Sequence, residues 1–383
     1  MKKFGVLLLV LLAVIGCGVV YAVGGSAADP LITLDYYQTV YQPGVLSQAE
    51  DRIRVRTQEI YDGVLEGLNA MHQANLNAQG GTELGGSAPA GLADQRYKQG
   101  DALSMDTGST FVLLAGRATV RFPSGTVVDL TAGSTAPSGT ALTRFHRYLA
   151  AEQTTASVVI TSETAVLSTE GPSTLAASQT TDYNQLAYAL KRMGLFAGTD
   201  TGYGEGYDLE NIPTRIEGLI MFLRLIGEES AARSYTGAMP FADVPDWCRC
   251  YVAYAYSKGY TAGVGQDMQG RESFAPLRPI GAGEYLTFVM RALGYRDSGE
   301  NPDFTWQNVL ARARELNLIT AGEYSLFADA TFLRAHVAYC SYFALDLQQK
   351  QGGSLLSALS ASGALDGAEA AAIRSQVTVQ RVA

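Results

Sequence analysis

The sequence contains few of the residues on which most catalytic and metal sites depend. Its 383 residues include three histidines, His72, His146 and His336, which lie far apart. His146 has arginines but no second histidine near it, which favours an ordinary surface side chain over a metal ligand. No HExxH or GxSxG motif is present, and no GxGxxG or GxxxxGK[ST] loop occurs in a supporting context. We therefore expect no metal, no cofactor and no catalytic residue of these classes.

Cysteine is also scarce, and its spacing excludes a disulfide framework and a zinc ribbon. Cys17 lies in an apolar N-terminal run, which leaves Cys248, Cys250 and Cys340 for the rest of the chain. These three residues are odd in number and include no CxxC pair. Cys248 and Cys250 flank one arginine in an aromatic-rich helical stretch, so we expect them to be buried free thiols.

Positive charge is in short supply as well. Lys and Arg number 28 against 37 Asp and Glu, which gives a formal net charge of -9. A protein of this sign repels polyanions, so the balance argues against a nucleic-acid partner. Any anionic ligand needs a local basic site.

One long hydrophobic run is present, at the N-terminus. Two lysines precede an apolar stretch over residues 4–23, and residues 1–23 are predicted to be an export signal. Cleavage after Ala22, lipidation of Cys17 and retention of residues 4–23 as a membrane anchor are all open, because about 20 apolar residues can span a bilayer. In each case the rest of the protein is expected outside the cytoplasm, in the cell wall or at the cell surface.

Composition divides the next part of the chain into two stretches. Residues 24–79 include an amphipathic helix over residues 47–79, which either packs on a neighbour or self-associates as a short coiled coil. Residues 80–95 are rich in glycine and are predicted to form a flexible linker or a long loop.

Residues 96–171 have the pattern of a small all-β domain. Short runs of alternating β-branched residues are separated by glycine, proline and serine, which predicts a sandwich or a barrel. The pattern is helical over residues 182–348, and residues 349–383 are predicted to form a helical tail. The expected fold class is therefore α+β and multidomain, with an export helix, an amphipathic helix, a small all-β domain and an all-α C-terminal region.

One helix of the all-α region is well defined by its sequence, IPTRIEGLIMFLRLIG. Thr214 and Glu217 have the spacing of a capping box, apolar residues then recur at helical spacing, and Gly227 is a natural stop. Arg215 is the exception, since a cation at the positive end of a helix dipole is unfavourable. Arg215 is therefore the residue most free to hold an anionic ligand.

An internal repeat runs through the all-α region. Each copy has a helix, a glycine-bearing turn, a loop and a longer helix, and such units must pack together to bury their apolar faces. Arg224 and Arg291, in the middle of two longer helices, are expected to be structural. We call residues 182–228 the first copy, residues 241–296 the second copy and residues 303–348 the third copy.

The second copy has the most specific motif, FADVPDWCRCYVAYAYSKGYTAGV followed by FAP. In the first copy, PTRIE is similar to an ITRAE signature. On these motifs the repeats resemble the S-layer homology (SLH) modules of bacterial surface proteins over nearly half of the chain. The resemblance implies a pseudo-threefold helical domain whose grooves bind secondary cell-wall polysaccharide, which often carries pyruvyl acetals.

The resemblance also implies which residues bind the polysaccharide. The signature arginine is Arg215 in the first copy and Arg334 in the third, and its fork of donors suits a ligand carboxylate. Trp247 and Trp306 suit stacking on sugar faces, although a core position is equally open for them. The implied ligand-binding set is Arg215, Arg334, Trp247, Trp306, Glu217 and Asp243.

The copies depart from the SLH pattern at the signature itself. In the second copy Ala282 stands in place of the arginine, and in the third copy His336 stands in place of the glutamate. At most two of three grooves therefore keep the expected cation.

The function that these patterns favour is a non-catalytic, exported cell-envelope protein. Its SLH-like repeats are expected to attach it to the cell wall and to present the β-rich domain there. A degenerate repeat domain that serves only as an assembly scaffold is the main alternative. A wall-active hydrolase is a weaker one, because acids such as Asp101 and Asp106 stand in a context too common to indicate a glycosidase.

Overall fold

The computed structural model describes residues 92–199, 201–329 and 331–383. The predicted export segment (1–23), the amphipathic helix (47–79) and most of the linker lie outside these residues. The fold is α+β, with strands in the N-terminal part of the described chain and helices in the C-terminal part, and both belong to one compact unit. Within the described ranges, no helix is both long and apolar enough to cross a membrane.

Among the described residues, ten strands form the β part. They are β1 (Ala93–Lys98), β2 (Ala102–Met105), β3 (Thr110–Ala115), β4 (Ala118–Arg121), β5 (Val127–Asp129), β6 (Ser134–Ala136), β7 (Arg147–Ala150), β8 (Ala156–Ile160), β9 (Thr164–Glu170) and β10 (Ser173–Ala176). A six-stranded antiparallel sheet has the order β1-β9-β3-β7-β5-β6, and a four-stranded one has the order β10-β2-β8-β4.

Side-chain alternation places apolar residues of both sheets in one core. In β8 the residues Ala156, Val158 and Ile160 are buried, and the two between them are half-buried. Phe111 and Leu167 of the six-stranded sheet belong to the same core as Val158 of the four-stranded sheet. Two antiparallel sheets that share a core in this way form a β-sandwich.

The β part begins earlier than the sequence pattern indicates. The predicted linker extends to residue 95, whereas β1 starts at Ala93 and pairs with β9 from Ala93 opposite Thr169 to Lys98 opposite Thr164. Pairing with a distant strand decides this boundary, and local composition does not report such pairing.

Ten helices follow the β part among the described residues. They are α1 (Tyr183–Arg192), α2 (Arg215–Leu225), α3 (Glu229–Arg233), α4 (Arg249–Ser257), α5 (Ala282–Ala292), α6 (Val309–Glu315), α7 (Ala321–Asp329), α8 (Arg334–Ala344), α9 (Leu355–Ala361) and α10 (Gly367–Arg374). A short hairpin, β11 (Gly265–Gln266) and β12 (Glu272–Ser273), lies in the second copy. One hydrophobic core joins all three copies and the two tail helices, α9 and α10.

The first helix of each copy ends in the same way. Gly194, Gly259 and Asn317 follow helices α1, α4 and α6 with positive φ angles of 73°, 73° and 56°. This left-handed conformation is the usual helix C-terminal stop, and asparagine tolerates it better than most residues with a side chain. The third copy therefore keeps the turn without the glycine.

The third copy departs from the predicted plan after this turn. The first two copies have no α-helix between their first and longer helices, whereas the third copy has helix α7 there, because TAGE at residues 320–323 forms a capping box. The Thr320 N–H donates to Glu323 Oε2 at 2.8 Å, and the Glu323 N–H donates to Thr320 Oγ1 at 3.0 Å. The prediction of a loop in every copy is therefore wrong for the third copy.

Neighbouring copies meet along three seams. We call them the first groove (first and second copies), the second groove (second and third copies) and the third groove (third and first copies). The first and third grooves are joined by equivalent pairs of backbone hydrogen bonds. These are Arg215 N–H to Arg278 O (2.8 Å) and Ile216 N–H to Pro276 O (3.0 Å) in the first groove, and Arg334 N–H to Asn211 O (2.8 Å) and Ala335 N–H to Leu209 O (3.0 Å) in the third.

Candidate ligand-binding grooves

Arg215 lies at the first turn of helix α2, in the first groove. The predicted capping box is confirmed, since Thr214 and Glu217 bond each other's backbone N–H groups. Arg215 is only 5% exposed. Its Nη1 donates to Glu284 Oε1 of the second copy at 2.7 Å. The guanidinium carbon also lies 5.0 Å from the ring centroid of Phe274.

The charge of Arg215 is therefore neutralised within the protein. Burial lowers the pKa of Arg215 to about 10, partly opposed by the negative charge of Glu284, so the guanidinium stays protonated at neutral pH. Arg278 pairs with the same Glu284 carboxylate. The Arg215 Nε is buried and has no acceptor among the described residues. This arginine forms an internal salt bridge, with one donor left unsatisfied.

Arg334 has the equivalent place in the third groove and different surroundings. It is also 5% exposed. Its Nε donates to the Tyr207 carbonyl at 3.2 Å, and its guanidinium lies 5.8 Å from the Phe196 ring centroid. No carboxylate of the described residues lies within 4.0 Å of the guanidinium. Burial lowers the pKa of Arg334, and the negative charges of Glu217 and Asp208 oppose that effect.

The difference between the grooves concerns one glutamate in the neighbouring copy. Glu284 bonds Arg215 directly, whereas Glu217, at the equivalent position of the first copy, acts on Arg334 only through space. Glu217 Oε2 accepts from the Thr214 N–H at 2.6 Å instead. The third groove therefore holds a buried cation whose two terminal nitrogens donate to no described residue.

The second groove has lost both members of the pair. Ala282 replaces the arginine, and His336 stands where the opposing glutamate would be. His336 is fully buried, and its Nδ1 accepts from the Leu333 N–H at 3.1 Å. Its Nε2 lies 2.8 Å from Glu163 Oε2 of the β part, although the angles do not favour a hydrogen bond. Both departures from the SLH signature thus fall on the same groove. The sequence pattern by itself did not show that Ala282 and His336 would lie in one groove.

Both candidate tryptophans lie on the surface. Trp247 is 60% exposed and Trp306 is 77% exposed. Each stands shortly before the first helix of its copy, α4 and α6 respectively. A core role for these rings is therefore wrong, and their faces are accessible to solvent.

Asp243 holds a loop together. Its carboxylate accepts from the N–H groups of Phe274 and Ala275, each at 2.8 Å, and from the Ser273 hydroxyl at 2.5 Å. Burial by itself raises the pKa of Asp243, but these hydrogen bonds outweigh it and hold the pKa below the ordinary value of 3.8. The carboxylate positions Phe274, and Phe274 lies under Arg215.

The remaining candidates from the sequence analysis have ordinary surroundings. The described cysteines are free; Cys248 and Cys340 are buried, and Cys250 is half-buried. His146 Nδ1 lies 2.8 Å from Asp129 Oδ2. In the part of the chain that the structure covers, no cluster of three or more His, Cys, Asp or Glu side chains could hold a metal ion.

A contact that the sequence analysis missed fixes the β part beside the third groove. The Arg96 side chain of β1 is 8% exposed; its Nε donates to Asn184 Oδ1 at 2.8 Å, and its Nη2 pairs with Glu210. The guanidinium lies 5.6 Å from the ring centroid of Tyr207, the residue whose carbonyl accepts from Arg334. No signal in the sequence indicated this role, because β1 (ADQRYK) is polar over most of its length and β7 of the same sheet also contains an arginine, Arg147.

Comparisons with known proteins add one partial similarity. No family model matches the chain. The chain is 29% identical over 153 residues to the Middle cell wall protein of Brevibacillus brevis strain 47. That alignment covers 39% of this chain and 13% of that protein, so the chain spans a small part of its relative's length. Among solved structures, the coconut allergen cocosin matches 26% of this chain and 28% of its own at 14% identity, with a TM-score of 0.15, which does not indicate a common fold.

Proposed function

We propose that the protein is an exported, non-catalytic cell-wall protein whose third groove binds a carboxylate-bearing wall polysaccharide. The observation that carries the proposal is Arg334, a buried guanidinium whose terminal nitrogens have no described acceptor. Neither terminal nitrogen is among the fully buried, unpartnered atoms of the described residues, and a carboxylate in the groove could accept from both at once. The similarity to a cell wall protein supports the same location.

Aromatic residues suit the rest of such a ligand. Phe196 lies beside Arg334, and Trp247 and Trp306 offer exposed ring faces for sugars. The predicted membrane anchor, residues 4–23, would hold the chain at the envelope independently. The β part, fixed next to the third groove through Arg96, would then be presented at the wall in one orientation.

For the first and second grooves, a purely structural role as an assembly scaffold is the better proposal. Arg215 is already paired with Glu284, and the second groove lacks an arginine. These two grooves are therefore proposed to stabilise the packing of the copies, and the third to bind the ligand.

The test is sedimentation of the purified full chain with wall preparations from the source cell, before and after hydrofluoric acid removes the secondary polymers. We expect Arg334→Ala to weaken binding by about 10- to 100-fold, the equivalent of one or two charge-assisted hydrogen bonds. Arg271→Ala, on the exposed hairpin of the second copy, is the matched control and should bind like the wild type.

Two results would contradict the proposal. One is wild-type binding that survives hydrofluoric acid treatment, and the other is an Arg334→Ala variant that is folded and binds normally. Loss of binding by Arg215→Ala in a folded protein would move the ligand to the first groove.

A further inference from the structure

The third copy lacks an arginine that the other two copies have. Arg224 in the first copy and Arg291 in the second stand at equivalent positions of helices α2 and α5, and the third copy has Phe343 there. Each of these arginines forms a two-pronged pair with a carboxylate. Arg224 bonds both oxygens of Glu229, at 2.5 and 2.7 Å.

In the second copy the same side chain also fastens the turn. Arg291 bonds both oxygens of Asp297, at 3.0 and 2.5 Å. Its Nη1 donates to the Tyr260 carbonyl at 2.8 Å. Tyr260 directly follows Gly259, the left-handed residue that ends helix α4.

The tail supplies the missing group in the third copy. Arg381 Nη2 donates at 2.6 Å to the carbonyl of Leu318, which directly follows the left-handed Asn317. Leu318 is thus the counterpart of Tyr260. The Arg381 guanidinium lies 5.8 Å from the ring centroid of Phe343, the residue that replaces the repeat's own arginine.

Arg381 also has the two-pronged acidic partner. Its Nε lies 2.7 Å from Glu323 Oε1, and its Nη2 lies 2.8 Å from Glu323 Oε2. The Glu323 residue is 1% exposed, and the Tyr339 hydroxyl donates to it at 2.8 Å. Without Arg381, a buried carboxylate would have no described cation to pair with.

Hydrogen bonds and a glycine allow the tail backbone to approach the third copy closely. The Val382 N–H donates to the Tyr339 hydroxyl at 2.7 Å, and Thr320 Oγ1 donates to the Val382 carbonyl. A Cβ atom added at Gly322 would lie 2.7 Å from Val382 Cγ1, so the tail approaches this closely only because residue 322 is a glycine. The same tail reaches the first copy, where the Thr378 N–H donates to Gln185 Oε1 at 2.9 Å.

We propose that the third copy contains a guanidinium-binding site, formed by the Leu318 carbonyl, Glu323, Tyr339 and Phe343, whose occupant is Arg381 of the chain's own tail. The tail segment Val377–Ala383 supplies the arginine that the third copy lacks and links the third copy to the first, which it contacts through Thr378. The site recognises an arginine on an extended segment, because a planar fork fits two carboxylate oxygens and one carbonyl together. This inference does not depend on polysaccharide binding.

Relocation of the arginine tests the proposal in the full chain. Arg381→Ala should lower the Tm by about 5 °C or more, since it leaves Glu323 buried and unpaired. Adding Phe343→Arg to that variant should restore at least half of the loss, because the guanidinium then comes from the position used in the other copies. Phe343→Arg alone should be destabilising, since two cations would compete for one carboxylate. Arg374→Ala, which breaks a tail pair with the exposed Asp346, is the control and should shift the Tm by less than about 2 °C.

Chemical rescue gives an independent measurement. Millimolar ethylguanidinium should raise the Tm of Arg381→Ala more than that of the wild type, and ethylamine should not. A double variant no more stable than Arg381→Ala would overturn the proposal, and so would equal effects of ethylguanidinium and ethylamine on the Tm. If the alanine variant does not fold, Arg381→Gln replaces it in the relocation measurement, because glutamine can still donate a hydrogen bond to Glu323 without adding a second cation.

Discussion

Arg215 and Arg334 occupy equivalent positions in their copies and have different electrostatic roles. Both stand at the first turn of a longer helix, and both are buried. Each donates its backbone N–H to a carbonyl in a neighbouring copy, Arg215 to Arg278 of the second copy and Arg334 to Asn211 of the first. Their difference comes from the opposing glutamate, which contacts Arg215 and stays beyond salt-bridge distance of Arg334. The chemistry of each arginine is therefore set by a residue more than sixty positions away.

The two glutamates offer a matched comparison. Glu284→Ala removes a helix cap and also removes the carboxylate that pairs with the buried Arg215 guanidinium. We therefore expect the free energy of unfolding to fall by about 3 to 5 kcal/mol. Glu217→Ala removes only the equivalent cap and should cost about 1 kcal/mol. Urea unfolding of both variants checks this difference. Equal losses would show that the Arg215–Glu284 pair contributes no stability of its own.

Asp243 predicts a dependence of stability on pH. Its folded-state pKa is below 3.8, so its contribution is complete above that value and is lost as the pH falls through the folded-state pKa. We expect the wild type to lose more stability than Asp243→Asn between about pH 5 and about pH 2. Urea unfolding as a function of pH measures this loss, with the exposed Asp246→Asn as the control. Parallel curves for the wild type and Asp243→Asn would exclude the role assigned to this carboxylate.

At the scale of the element, the left-handed residue after each first helix is the common feature of the three copies. Gly194 and Gly259 adopt the positive φ angle without steric cost because they have no Cβ atom. In the third copy Asn317 adopts a similar positive φ angle although it has a side chain. The sequence pattern anticipated the two glycine turns. It did not anticipate that TAGE at residues 320–323 would begin helix α7, because Gly322 matches the turn glycines Gly198 and Gly263 and the repeat pattern takes no account of its neighbour Glu323 as a capping partner.

Substitution of Asn317 tests this backbone requirement. Asn317→Ala should lower the free energy of unfolding by about 1 kcal/mol, since alanine disfavours positive φ. Asn317→Gly should be neutral or slightly stabilising, because glycine adopts this conformation freely. Thermal unfolding distinguishes the two, and a destabilising glycine variant would indicate that the asparagine side chain itself is needed.

At the scale of the whole molecule, Arg96 couples the β part to the helical part. The side chains of Arg96 and its partner Glu210 are 8% and 9% exposed, so Arg96→Ala leaves a largely covered carboxylate unpaired at the contact and should cost about 3 to 5 kcal/mol. We expect the wild type to unfold in one transition and the Arg96→Ala variant to unfold in two, one for each part. Calorimetry checks this, with Arg121→Ala on the exposed end of β4 as the control. One unchanged transition in the Arg96 variant would show that other contacts hold the two parts together.

Sequence alone determined the order of the elements and the repeat. Alternation of apolar residues predicted the strands, the spacing of Thr214 and Glu217 predicted the capped helix, and the repeated glycines located the copies, because all of these depend on near neighbours in the chain. The tertiary structure decided which arginine is neutralised, where β1 begins and what completes the third copy. Those features depend on Glu284, β9 and Arg381, residues that are distant in the sequence and become neighbours only when the copies and the sheets pack.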